Sequence, residues 1–210
     1  RLLVDKICMI YQNAAKSQPG NEELLTQLFM AYVRISDYKS QQTTALQLYK
    51  AKPKNPYYFW AVMSVVLQAL RGPESKDKGK SKVLLTLAQR MVDKIISTDK
   101  IEAEQEVQLY LNILDYQEKY EDVLAFLQSD VCLDKFPGAP ISIKIEIYKK
   151  LTRWTELKDL SKLLLEEDPD RWDYYQDYLL SCFELANAGD KSIIETCLNF
   201  INEVSNQLCL

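Results

Sequence analysis

An all-α protein, built as an α-solenoid of antiparallel helix pairs, is the fold class this sequence predicts. Three observations carry that expectation. Apolar residues recur at i, i+3 or i+4 and i+7 along nearly the whole chain, the pattern of one helix face. Only 5 Gly and 7 Pro punctuate the 210 residues, too few for the frequent turns of an all-β chain. An aromatic residue stands at a polar turn three times: Tyr38 in ISDYKS, Tyr120 in QEKYED and Trp154 in LTRWTE.

The turns are spaced as repeats. Tyr120 and Trp154 are 34 residues apart, the tetratricopeptide period. Tyr38 and Tyr120 are 82 apart, two such periods with a surplus of 14 that fits one expanded pair. Pro53 follows Tyr38 by 15 residues and Pro169 follows Trp154 by the same 15, where the second helix of a pair should close. Helices are expected at 1–17, 21–34, 37–51, 56–70, 81–98, 101–117, 120–129, 140–151, 154–167, 171–186 and 190–208. Turn sequences separate them, notably QPGN, KPKNP, FPGAP, EDPD and NAGD. Asn21, Asn55, Asp170 and Asp190 suit N-caps, and Pro56 suits a first helical position.

Ahead of each turn aromatic stand core candidates: Leu25, Leu28 and Tyr32; Val107, Tyr110 and Leu114; Ile141, Ile145 and Tyr148. Behind it come Ala45, Leu48 and Tyr49; Val123, Leu124 and Leu127; Leu157, Leu160 and Leu164. One helix pair cannot bury such faces, whereas stacked pairs can. The stretch PKNPYYFWAVMSVV at 53–66 is apolar all round, which suits a helix buried by neighbours on both sides. The expected organisation is one continuous solenoid segment over 1–210, with a flexible basic loop at 71–81 (RGPESKDKGKS).

Composition narrows the function. Lys and Arg number 26 against 30 Asp and Glu, net −4, which disfavours direct nucleic-acid binding. There is no histidine, so most zinc sites and Ser-His or Cys-His nucleophile systems lack a component. Five scattered cysteines (Cys8, Cys132, Cys182, Cys197, Cys209) with no CxxC read as free buried thiols of a reducing compartment. No stretch is long enough for a membrane helix, and no phosphate-binding loop occurs. The chain starts at Arg1 with its helical pattern already running, so a portion of a longer protein is expected, with apolar surface at its ends.

Three carboxylate groups invite a catalytic reading: Glu102, Glu104 and Glu106; Glu166, Glu167, Asp168 and Asp170; Asp173 and Asp177. Helix-terminal charges account for them better. The aromatic run DRWDYYQDY at 170–178 reads as inter-helix packing with some tips exposed. On the repeat alignment the inner face carries Glu23, Thr26, Met30 and Val33, then Gln105, Gln108, Asn112 and Asp115, then Ala139, Ser142, Glu146 and Lys149. A clamp for a peptide carboxylate needs Lys, Arg and Asn there. This face is neutral to acidic and suits a folded partner, with Thr26, Met30, Gln108 and Asn112 as candidate contacts.

The stretches LFMAYVRISDYKSQQTTALQLYKAKPKNPYYFWAVMSVVLQ (28–68), LAQRMVDKIISTDKIEAEQEVQLYLNIL (87–114) and IYKKLTRWTELKDLSKLLL (147–165) resemble the auxiliary subunit of the NatB N-terminal acetyltransferase complex, in its animal form. PKNPYYFW and DKIEAE are the more specific parts. The likeness spans most of 20–185 and fades at 129–140 and past 186, and loop 71–81 is longer and more basic than the family pattern. The resemblance implies a non-catalytic, cytoplasmic tetratricopeptide scaffold with no cofactor or metal of its own. It implies a GNAT-fold catalytic subunit as partner and docking on the ribosome through the full-length chain. It also implies co-translational acetylation of chains beginning Met-Asp, Met-Glu, Met-Asn or Met-Gln. Such a partner contact should be permanent and bury more than about 2,000 Å². The alternative is a stand-alone tetratricopeptide adaptor for peptides or cytoskeletal proteins.

Overall fold

The computed structural model describes residues 2–138 and 140–208, so the expectations for Cys209 and Ala139 lie outside the described residues. Two units share the chain, Arg1–Pro137 and Gly138–Leu210. The first holds α1 (Leu2–Ser17), α2 (Glu22–Ile35), α3 (Tyr38–Ala51), α4 (Asn55–Arg71), α5 (Lys78–Ile96), α6 (Glu104–Tyr116), α7 (Tyr120–Leu127) and α8 (Asp130–Lys135). The second holds α9 (Pro140–Lys150), α10 (Trp154–Glu167), α11 (Trp172–Asn187) and α12 (Ser192–Leu208). Among the described residues there is no strand.

One turn is built three times. Ser36, Glu118 and Thr152 hold left-handed φ values of 57, 57 and 54°. Each sits two residues before a turn aromatic, and Tyr38, Tyr120 and Trp154 each start the second helix of a pair. The next N–H donates back five residues: Asp37 to the Tyr32 carbonyl, Lys119 to Leu114 and Arg153 to Tyr148, at 3.1, 3.0 and 2.9 Å. This is a Schellman closure, which satisfies carbonyls that the helix end would leave bare. Asp99, at φ 52°, and Gly189, at φ 105°, close α5 and α11 with the same backward bond.

The caps were only partly legible. Asn21 accepts from the Leu24 N–H, as expected of a cap, while Asp190 stands one residue ahead of the cap position and accepts from the first N–H of α12, that of Ser192. Asn55 is instead the first residue of α4, and its side chain reaches sideways. Asp170 also fails as a cap, because α11 starts at Trp172 and Arg171 takes the cap position. Asp37, Asp77 and Ser129 cap α3, α5 and α8. Asp77 explains why 71–81 is not an irregular loop: it accepts from the Gly79 and Lys80 N–H groups and starts α5 at Lys78. Pro73–Lys76 forms a single 3₁₀ turn before it.

The core lies where the repeat faces meet. Leu25, Phe29, Ala45, Leu48 and Ala61 form one buried cluster across α2, α3 and α4. Ile145, Leu157 and Leu164 form another across α9 and α10. Ile141 departs from expectation: it is 43% exposed, in the first turn of α9, opposite the place where α10 ends. Helix α4 packs on α3, α5 and α6, which accounts for most of its apolar residues, although Met63 and Leu70 stay exposed and the helix is not buried all round. Its aromatics act as spacers between layers: Trp60 stacks on Phe29 at 4.7 Å, and Tyr58 meets Tyr49 edge-on at 5.1 Å. In DRWDYYQDY, Tyr178 is buried and packs on Phe200, while Trp172 projects, 61% exposed.

A β-branched residue is poorly suited to a left-handed turn. Thr152→Gly is therefore expected to raise stability by about 0.5–1 kcal/mol. Thermal and urea unfolding of the variant beside the parent chain checks it, and an unchanged or lower midpoint would contradict the strain assigned to this turn.

Candidate partner-binding surface

The first helices of successive pairs, α2, α4 and α6, are tied together at their N-terminal ends. Glu22, in the first turn of α2, accepts from Lys54 Nζ at 2.6 Å and from the Tyr57 hydroxyl. Those two donors hold its carboxyl below its ordinary value of 4.5, and the Glu22 carboxylate raises the Lys54 ammonium above 10.5. One step along, the buried Asn55 amide donates to the Lys100 carbonyl and, at 3.5 Å, to the Glu106 carboxylate. Glu106 is itself buried and accepts from the Glu102 and Ala103 N–H groups at 2.8 and 3.4 Å. It thus closes the N-terminus of α6 and anchors α4 to it. This is the role of one member of the Glu102, Glu104 and Glu106 group, and it is a structural one.

The ties place α4 between α2 and α6 and set three helices side by side. Thr26 is half-buried, and its hydroxyl donates to the Glu22 carbonyl at 2.7 Å. Met30, one turn on, is 39% exposed and lines a shallow groove against Ile7, Ile10 and Tyr11 of α1. Gln108 and Asn112 lie exposed one turn apart on α6. The four candidates thus lie as two pairs on two helices, Thr26 and Met30 on α2 and Gln108 and Asn112 on α6. On α4, Met63 and Leu70 are exposed at 42 and 37%, against the all-round burial that its apolar sequence predicts. Their spacing of two turns is the signal that would have singled them out. Val33 on α2 and Tyr116 on α6 are exposed as well, at 44 and 48%.

Other buried titratable groups do structural work. Asp177 is buried and pairs with Lys149 at 2.5 Å, joining α9 to α11. Lys149, an inner-face position on the alignment, is thereby engaged within its own unit. Glu166, Glu167, Asp168 and Asp170 are solvated. Burial, and then the Asp93 carboxylate that it donates to at 2.6 Å, push the Tyr110 phenol well above its ordinary value. Burial pushes the Cys182 thiol up to about 11, and the Cys132 thiol also rises. Thiols held protonated are poor nucleophiles. Among the described residues, no group of three His, Cys, Asp or Glu side chains is placed to hold a metal ion. No described helix is long and apolar enough to cross a membrane. What the row offers chemically is a mixed surface of thioether, amide and phenol groups, suited to covering by another protein.

The chain is similar to several known proteins along most of its length. The family described as Psidin, N-terminal TPR repeats region, matches residues 3–165. Phagocyte signaling-impaired protein of Aedes aegypti is 59% identical over 203 residues, covering 94% of this chain and 22% of the relative. N-alpha-acetyltransferase 25, NatB auxiliary subunit, of Homo sapiens is 42% identical over 188 residues, covering 85% of this chain and 18% of the relative. The N-terminal acetyltransferase B complex auxiliary subunit NAA25 of Arabidopsis thaliana is 30% identical over 177 residues, 84% of this chain and 16% of that one. The chain thus spans about a fifth of the length of these relatives. Among solved structures, Naa15/Naa10 bound to HypK-THB matches with a TM-score of 0.66 at 16% identity, over 85% of this chain and 26% of the other. That likeness concerns the fold.

Two predictions follow from the ties. Glu106→Ala removes the acceptor of two backbone N–H groups and of Asn55, and should cost about 2–3 kcal/mol in urea unfolding. Glu106→Gln keeps an acceptor oxygen and should cost less than half of that. Equal costs for the two would show that the carboxylate charge, not its acceptor geometry, is what matters. For Glu22, a lowered folded value means a contribution that is complete above 4.5 and disappears as pH falls through the folded value. The raised Lys54 value limits the same contribution at the alkaline end, above 10.5. Glu22→Gln should therefore melt below the parent between those limits and coincide with it in acid. A gap that persists at pH 2–3 would contradict the pairing.

Proposed function

This chain belongs to the family described as Psidin, N-terminal TPR repeats region, and on that premise we propose that it is a non-catalytic scaffold segment of a NatB-type auxiliary subunit. The observation that carries the reading is the 42% identity to the human NatB auxiliary subunit over 85% of the chain. In this reading the complete chain holds a GNAT-fold catalytic subunit and works in the cytoplasm. It supports co-translational acetylation of Met-Asp, Met-Glu, Met-Asn and Met-Gln chains at the ribosome. The two units are successive stretches of one helical-repeat array, supported by the 34-residue step from Tyr120 to Trp154.

The α2–α4–α6 row is the face proposed to meet the catalytic subunit or another lasting partner. Thr26, Met30, Gln108 and Asn112 contribute to it, joined by Met63. A contact built on exposed methionines and amides needs no titrating group. That fits a face whose ionisable neighbours, Glu22 and Glu106, are engaged in holding the helices together.

The test is co-expression of the complete natural chain with the catalytic subunit of the same organism. Recovery at near one-to-one stoichiometry, with acetylation of a Met-Asp peptide by the complex and none by the chain alone, is the expected result. Met63→Glu together with Asn112→Lys should reduce recovery about tenfold without moving the melting temperature. Capture of chaperones or cytoskeletal proteins with no acetyltransferase would replace the scaffold reading with the adaptor one. Undiminished recovery of the double variant would move the contact to another face.

A further inference from the structure

The larger cavity of the first unit lies apart from this row. It is an open cleft of about 820 Å³ bounded by α1, the turn at Pro19 and Gly20, α2 and α3. That volume is within the range of sites for small ligands and short peptides. Its floor is apolar, from Ala15, Leu25 and Leu28. One wall is the polar side of α3, where Ser40, Thr43, Thr44 and Gln47 succeed one another. Its charges are all of one sign: Lys16, Lys39 and Lys50 line it, and no carboxylate does.

That asymmetry runs against the chain as a whole. The protein carries 30 acidic residues, yet α3 contains none in its 14 residues. Among the described residues, the three lysines have no carboxylate partner. The acid closest in sequence, Asp37, is engaged in capping: it accepts from the Ser40 N–H and hydroxyl at 3.1 and 2.7 Å. Lys16 and Lys50 stand toward the Gly20 end, since the place of a Cβ on Gly20 would meet Ala51 at 3.8 Å. Lys39 stands at the opposite end, about 16 Å away along α3 at 1.5 Å per residue.

We propose that this cleft binds an acidic polypeptide segment, with carboxylates at its two ends and apolar side chains between them. Five extended residues span about 16 Å, the separation of the two lysine ends. The apolar side chains meet Ala15, Leu25 and Leu28, while Thr43 and Gln47 face the peptide backbone. Charge complementarity selects the partner and orients it. Nucleic acid fits less well, because the cleft has no arginine and no exposed aromatic ring to stack a base: Tyr32, its one aromatic, is 9% exposed. The site does not rest on the acetyltransferase reading and survives or fails apart from it.

The experiment uses the complete natural chain, with any partner that co-purifies. The probe is a fluorescein-labelled nonapeptide with paired glutamates at both ends and leucine and valine between, followed by fluorescence anisotropy. A peptide with lysines for glutamates and a single-stranded oligouridine are the comparators. Saturable binding of the acidic peptide alone is expected, weakened about tenfold or more by Lys39→Glu with Lys50→Glu and retained by Lys39→Arg with Lys50→Arg. Gln47→Glu, one carboxylate in the middle of the wall, should weaken binding without touching either lysine, and it decides the matter if the double variant melts early. No saturable binding would overturn the proposal, as would binding indifferent to these substitutions. Tighter binding of the oligouridine would overturn it in favour of an RNA site.

Discussion

A reversal of chain direction at Ser36, Glu118 and Thr152 is what everything else in this molecule presupposes. Each residue takes up a left-handed conformation that L-amino acids avoid, and each thereby turns one helix back along another. Two carbonyls at the end of the first helix gain donors in the process, and the following aromatic is placed as the opening residue of the second helix. Once the pairs exist, their apolar faces have to be covered by the next pair, and the stack is the consequence. The polar ties at Glu22, Asn55 and Glu106 then fix how successive first helices lie together.

The repeat was legible because its signals are local. The turn aromatics, their spacing and the helix faces all sit within a few residues of one another, and eleven expected helices have counterparts in the structure. The left-handed residues themselves left no trace, since Ser, Glu and Thr occupy positions where a glycine would have announced the turn. Asn55 was misread for a related reason. Beside Pro56 it looks like a cap, but its amide serves a carboxylate 51 positions further on, and local pattern carries no such information. The six-residue helix Asp130–Lys135 was too short for periodicity to show. Exposure on α4 was missed because an apolar residue looks the same whether a neighbour covers it or leaves it bare.

Functional surfaces divide along the same lines. Positions on first helices could be proposed from the alignment, and the structure adds Met63 of α4 to the exposed candidates. The cleft beside α3 could not be proposed, because it is made from three helices and defined by an absence, that of acidic side chains. Net charge is a sum over the whole chain and conceals such local imbalance. A chain of net −4 still keeps one cleft lined by three ammonium groups and no carboxylate.

The ties between α2, α4 and α6 have a mechanical corollary. Among the described residues they all lie at the N-terminal edge of the row, so the three helices resemble pages bound along one margin. The bound margin resists stretching, because each tie joins groups already at hydrogen-bond distance. The opposite margin, where Leu70 and Tyr116 stand near the ends of α4 and α6, is joined through the second helices instead: the Gln41 amide of α3 donates to the Tyr32 carbonyl at 3.1 Å, the Gln68 amide of α4 to Gln42 of α3 at 2.9 Å, and the Gln117 amide to Gln89 of α5 at 3.1 Å. A body resting on the row would therefore meet helices stitched directly along one margin and by way of α3 and α5 along the other, so that spreading either edge breaks amide or carboxylate hydrogen bonds.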